Sequence, residues 1–223
     1  MMDGYDFTFS GATLRALPQG ALYWPCEGVL VVSDLHLGKS ERIARRGGSL
    51  LPPYETIETL RRLDTVIEGC APKTVICLGD SFDDLAAGQD LPREICEWLL
   101  RLQAGRRWVW IEGNHDPGPL ALGGSHLAEL TIATLIFRHI ASPSATHEIS
   151  GHYHPKARLT LRGRHIARPC FVVDENRLIL PAFGAYTGGM DCTDPMITGL
   201  FGPKALALLT GPQVRALPLA KLA

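Results

Sequence analysis

Val29-Leu30-Val31-Val32-Ser33-Asp34-Leu35-His36 decides the fold. Four consecutive aliphatic residues, three of them β-branched, suit a short strand buried on both faces. Polar chemistry starts as the apolar run stops, and the pattern recurs downstream. Thr74 to Leu78 reads as a second buried strand followed by Gly79-Asp80, and Trp108 to Ile111 as a third followed by Gly113-Asn114-His115-Asp116. Between the first two, Tyr54 to Glu68 places Ile57, Leu60, Leu63 and Ile67 along one side at helical spacing. Between the second and third, Arg93 to Gln103 does the same with Ile95, Trp98, Leu99 and Leu102. A short helix is also expected over Ser40 to Arg46, ended by Gly47-Gly48. Strand, helix, strand, helix, strand implies α/β architecture with parallel strands.

The second half reads differently. Thr131 to Phe137, Arg158 to Leu161, Phe171 to Val173 and Arg177 to Leu180 are strand-like, with little helix between them. Two β-rich halves face to face, with helices outside, give a four-layer α/β/β/α sandwich formed by residues 1–223 as a single domain.

The bulk properties narrow the function classes. The 223 residues suffice for one substantial core, and 46% hydrophobic with 20% charged residues is ordinary for a globular protein. A formal net charge of -1 exerts no global pull on nucleic acid or acidic lipid, so an anionic substrate has to be attracted locally. The six cysteines form no C-x-x-C pair, which removes support for zinc-ribbon and thioredoxin readings. Cys77 and Cys96 lie in apolar runs that suit reduced, buried thiols. Met1 to Ser10 lacks a basic region ahead of an apolar run, and no stretch approaches the roughly 20 apolar residues of a membrane span. A cytoplasmic protein is expected.

Ligands of open α/β sheets bind at the carboxyl ends of strands, where each polar cluster falls. His139 ends the Thr131 to Phe137 run, and Gly151-His152-Tyr153-His154 comes next. Residues i and i+2 of an extended segment share a side, so Asp34 with His36, and His152 with His154, are each expected to converge. Glycines before Asp80, Asn114 and His152 would permit sharp turns and close approach to a cation. Carboxylate, imidazole and amide oxygen, without thiolate, suit Mn²⁺, Fe or Zn²⁺. Two such ions about 3.5–4 Å apart can clamp a phosphate oxygen. Taken singly, D-x-H is weak, Gly-Asp is often only a turn, and a lone histidine is more often packed or solvated. His126, His147 and His165 are read that way, His147 being the nearest competitor to His139. Five pieces in order at strand ends are hard to obtain by chance.

Those five pieces resemble the ordered signature of the calcineurin-like metallophosphoesterase superfamily: D-x-H, G-D-x-x-D, G-N-H-[DE], a lone H and G-H-x-H. The resemblance implies one metal held by Asp34, His36 and His154, a second held by Asn114, His139 and His152, and Asp80 bridging them. It implies that a metal-bridging hydroxide attacks the phosphorus in line. His115 would face the substrate, stabilising the transition state or protonating the leaving oxygen. Asp83 would orient it, with Asp84 as the alternative.

Residues 14 to about 191 are also similar to the bacterial ligase-associated DNA damage response endonuclease family. Ala21-Leu22-Tyr23-Trp24-Pro25, Asp34 to Lys39, Gly79-Asp80-Ser81-Phe82, Glu148 to Pro155 and Pro181 to Gly189 carry that similarity. It implies a manganese-dependent phosphodiesterase or DNA endonuclease in DNA repair, acting on DNA, single strands included, and associated with a DNA helicase and a DNA ligase. His-Asp would be expected after Gly-Asp-Ser-Phe, whereas this chain has Asp83-Asp84. Other members of the superfamily hydrolyse small nucleotides, nucleoside pyrophosphates or phosphoproteins. A binding module that kept the fold without the chemistry would usually have lost ligands that are intact here.

Two basic clusters could track a phosphate backbone: Lys39, Arg42, Arg45 and Arg46, and Lys156, Arg158, Arg162, Arg164 and Arg168. Solvated surface is the bland alternative. Tyr186 and Phe183 could stack on a base, or serve as packing aromatics.

Overall fold

The computed structural model describes residues 3–40, 42, 47, 54–89, 91–116, 122–161 and 163–222. The first sheet runs in chain order: β1 (Tyr5–Phe9), β2 (Ala12–Ala16), β3 (Leu22–Trp24), β4 (Val29–Val32), β5 (Thr74–Leu78), β6 (Arg107–Ile111) and β7 (Ser125–Leu127). β1 to β4 form an antiparallel meander that the sequence reading did not assign. From β4 to β7 every pairing is parallel, as the strand–helix alternation implied.

The alternation of side chains explains the continuous apolar runs. Leu30, Val32, Val75, Cys77, Trp108 and Trp110 face outward against α1 (Tyr54–Cys70) and α3 (Arg93–Gln103), with α2 (Leu85–Gln89) between those helices in the chain. Their neighbours Val29, Val31, Ile76, Leu78, Val109 and Ile111 face the second sheet. Burial on both faces leaves no polar side for the strand to show. The expected helix over Ser40 to Arg46 lies largely outside the described residues.

The second sheet has the order β15-β14-β12-β13-β10-β9-β8, with β11 paired to β12. Its strands are β8 (Glu129–Ile132), β9 (Leu135–Arg138), β10 (Glu148–Ser150), β11 (Lys156–Leu161), β12 (Arg164–Val173), β13 (Arg177–Ile179), β14 (Leu206–Leu209) and β15 (Arg215–Pro218). Leu135, Phe137, Ile149, Phe171, Val173, Leu178, Leu180 and Leu208 complete the core between the sheets. Each such side chain, fully buried, contributes about 1.5–3 kcal/mol. Outside this sheet the layer is thin: α4 (Pro195–Thr198) and a 3₁₀ turn at Leu219–Lys221 cover Cys170, Val172, Ala207 and Leu209. The architecture is an α/β sandwich of two mixed sheets with few helices.

One expectation is corrected by the strand pairing. Thr131 to Phe137 is not one strand but the hairpin of β8 and β9, turning at Ala133 with φ of 51°. No Gly or Asn marks that turn, so composition could not reveal it. β9, β10 and β13 are parallel to one another. As a result, three parallel strands of each sheet end at the site: β4, β5 and β6 from one, β9, β10 and β13 from the other.

Candidate metal centre

Six loops meet there, and main-chain hydrogen bonds hold them together. His36 N–H donates to Asp80 O (3.0 Å), Leu37 N–H to Ser81 O (2.9 Å) and Asp83 N–H to Leu37 O (3.0 Å), so the loops after β4 and β5 continue their strands' pairing. Gly151 N–H donates to His139 O (2.9 Å) in the other sheet. The loop after β13 crosses between the sheets: Phe183 N–H donates to Ser33 O (2.7 Å) and Gly184 N–H to Asp34 O (3.1 Å).

Convergence arises differently from the extended i, i+2 arrangement expected above. Asp34, His36, Asp80, His152 and His154 all have left-handed backbones, with φ of 53°, 47°, 43°, 70° and 46°. Each such residue costs roughly 1 kcal/mol or more, and such strain gathers where surrounding structure imposes it for function. The kinks, not strand alternation, turn these side chains inward.

Three side-chain groups result, each with potential ligand atoms within 4.8 Å of one another: Asp34–His36–His154, Asp80–His139–His152 and His36–Asp83–His115. In the first, Asp34 Oδ1 and His154 Nε2 lie 3.1 Å apart, yet neither makes a hydrogen bond. Asp34 Oδ2 is occupied, accepting from Ser33 Oγ and from His152 N–H (3.0 Å). Asp34 is fully buried, so an Oδ1 without a donor would be costly unless a cation meets it.

In the second group, His139 Nδ1 donates to Leu78 O (2.9 Å), because a carbonyl can only accept. The lone pair of neutral His139 is therefore on Nε2, facing Asp80 Oδ2 (3.3 Å), Asn114 Oδ1 (3.0 Å) and His152 Nδ1 (3.3 Å). Electron-rich atoms around one point suit a divalent cation. Burial opposes ionisation of Asp80, whereas the His115 N–H donated to its Oδ1 (2.9 Å) favours the carboxylate.

The third group shares His36 and shows what Asp83 touches. Its carboxylate accepts from His36 Nδ1 (3.1 Å) and from Arg42 Nε. His115 Nδ1 donates instead to the Asp83 main-chain carbonyl (2.8 Å). Asp83 thus reaches His115 through its backbone, because Arg42 and His36 have taken its side chain. Asp84 Oδ1 accepts from Ala87 N–H (2.7 Å) at the start of α2. Asp116, quoted in the sequence but given no role, is buried and ties two loops together. It accepts from Ser81 N–H (2.8 Å), Phe82 N–H (3.2 Å) and Gly113 N–H (3.1 Å), and burial pushes its pKa up to about 6.

The glycines serve loop-to-loop contact. A Cβ on Gly113 would lie 2.2 Å from Asp80 N and 2.3 Å from its Oδ1, and one on Gly79, at φ +69°, would lie 2.4 Å from the His139 ring. Gly113→Ala is therefore expected to cost about 1–3 kcal/mol through overpacking and to lower metal uptake. A thermal melt and metal analysis check both.

The remaining sequence candidates separate. His126 stacks against Trp110 (6.3 Å between centroids), while His147 and His165 are exposed. Phe183 is 0% exposed in the outer core with the Arg62 guanidinium over its ring, so it cannot stack on a base; Tyr186 is 79% exposed. All six cysteines are free thiols, with Cys77, Cys170 and Cys192 buried. Arg45, Arg46 and Arg162 lie outside the described residues.

The model of the calcineurin-like phosphoesterase family matches residues 28–169, which contain every side chain of the three groups. The chain belongs to that family. It is a metal-dependent phosphoesterase of a family that uses a binuclear metal centre. It is similar to the solved structure of Pseudomonas putida nuclease MPE, with 29% sequence identity and a TM-score of 0.75 over 96% of this chain and 100% of that one. Comparison with curated proteins finds no match. No helix among the described residues of this phosphoesterase is long and apolar enough to cross a membrane.

Proposed function

We propose that this phosphoesterase is a phosphodiesterase acting on DNA, an endonuclease with two manganese ions, working in DNA repair. Asp34 Oδ1 and His154 Nε2, facing each other at 3.1 Å beside the electron-rich His139 cluster, carry the metal reading. The nuclease named among the solved structures supports the substrate class. Asp34, His36 and His154 would hold one ion, Asn114, His139 and His152 the other, and Asp80 would bridge. Cations held there would lower the pKa of a bound water and neutralise charge on the phosphate. The chain's own groups do the rest. Asp83 keeps the proton of His36 on Nδ1, which leaves Nε2 as its ligand atom. The Asp83 carbonyl likewise engages the Nδ1–H of His115, and in the imidazolium form its Nε2–H can give a proton to the leaving oxygen. A cytoplasmic location and association with a DNA helicase and a DNA ligase complete the reading.

Metal-stripped protein should regain activity most with Mn²⁺ when Mn²⁺, Fe²⁺ and Zn²⁺ are each restored. Circular single-stranded DNA should then be cut faster than a nucleoside pyrophosphate or a phosphoprotein. Faster turnover of either small-group substrate would overturn the DNA reading, and cutting of linear but not circular strands would overturn endonucleolysis. Asp83→Ala should lower metal affinity by about 10–100-fold by freeing the His36 ring, measured by metal titration.

A further inference from the structure

We propose that Tyr186 is a stacking platform for one unpaired base, flanked by Lys39 and Lys156, which lead a single DNA strand across the Asp34–His36–His154 side of the site. This rests on the nuclease reading and assigns that site a strand track. Tyr186 is 79% exposed although its backbone sits at φ 56°, a conformation bulky residues rarely adopt. Two cations hold the loop in place: Lys39 Nζ donates to Tyr186 O (3.3 Å) and Lys156 Nζ to Thr187 O (2.9 Å). Lys39 is three residues past His36 and Lys156 two past His154, so the platform adjoins the metal ligands along both loops.

Among the described residues the partners of the two ammonium groups are neutral carbonyls. Arg158 is the next cation along β11. Arg158 itself pairs with Asp191 (3.3 Å). The opposite flank is unfavourable to a polyanion. A groove of 420 Å³ past Asn114 and His139 is lined by Glu112 and Glu129, and Arg138 there is shared by Glu129 (2.8 Å) and Glu148 (3.3 Å). A phosphate backbone is therefore drawn to the Tyr186 side. A lone ring offers its face only to a base that is not already stacked in a duplex.

Binding of a fluorescent oligothymidylate, an abasic strand of equal length and a duplex to the full chain tests this. Wild type should bind the abasic strand about ten-fold more weakly than the intact one. Tyr186→Asn, which suits a left-handed backbone, should bind both equally weakly, and Tyr186→Phe should restore the difference. Lys156→Gln should make the logarithmic salt dependence shallower by about 0.7. Equal wild-type affinity for intact and abasic strands, or tighter binding of the duplex, overturns the proposal without any variant. Strand binding through Tyr186 with no diester cleaved under any metal would instead sink the nuclease reading.

Discussion

Asp80→Asn should reduce phosphodiester hydrolysis by about three orders of magnitude, the rate equivalent of roughly 4 kcal/mol of lost transition-state stabilisation. Metal content should fall from two ions per chain toward one. The size follows from position. Asp80 lies between the groups proposed as ligands, with Oδ1 accepting the His115 N–H (2.9 Å) and Oδ2 facing His139 Nε2 (3.3 Å). Asparagine keeps the shape and can still accept that N–H, so the fold should persist. A thermal melt within a few degrees of wild type, with one ion lost and hydrolysis reduced to that extent, fits the reading. Near-normal turnover in the variant would refute a bridging role.

His115→Ala should split substrates by leaving group. Cleavage of DNA, whose leaving alkoxide needs a proton, should slow by about 10²–10⁴-fold. A p-nitrophenyl diester, whose phenolate leaves unaided, should slow far less. The ring sits for this work: its Nδ1 is committed to the Asp83 carbonyl and its edge meets the His36 ring at 5.3 Å. Equal slowing of both substrates would assign His115 to phosphate binding instead, and unchanged DNA cleavage would remove it from the reaction.

Val29 to Val32, Thr74 to Leu78 and Trp108 to Ile111 announced themselves as buried strands because both faces are covered, and the helices between them kept a 3.6-residue apolar period. The candidate ligands were legible because metal chemistry demands rare residue types at strand ends. Ser33 and Asp116 were not. A serine beside an aspartate, or an acidic residue ending a motif, carries no mark that it will hydrogen-bond Asp34 or clamp two loops.

Residue types, their order and the apolar periods were determined along the chain, since each depends on neighbours a few positions away. Those properties specified the α/β class, the parallel pairing of β4, β5 and β6 and the set of side chains able to hold cations. Which atoms face which was decided only by tertiary structure. Left-handed kinks at five candidate ligands, the parallel trio β9, β10 and β13, and the diversion of the Asp83 carboxylate to His36 and Arg42 all depend on loops from two sheets being pressed together. Such contacts are long-range: no local preference encodes them, and the packing energy of the sandwich imposes them against the local cost.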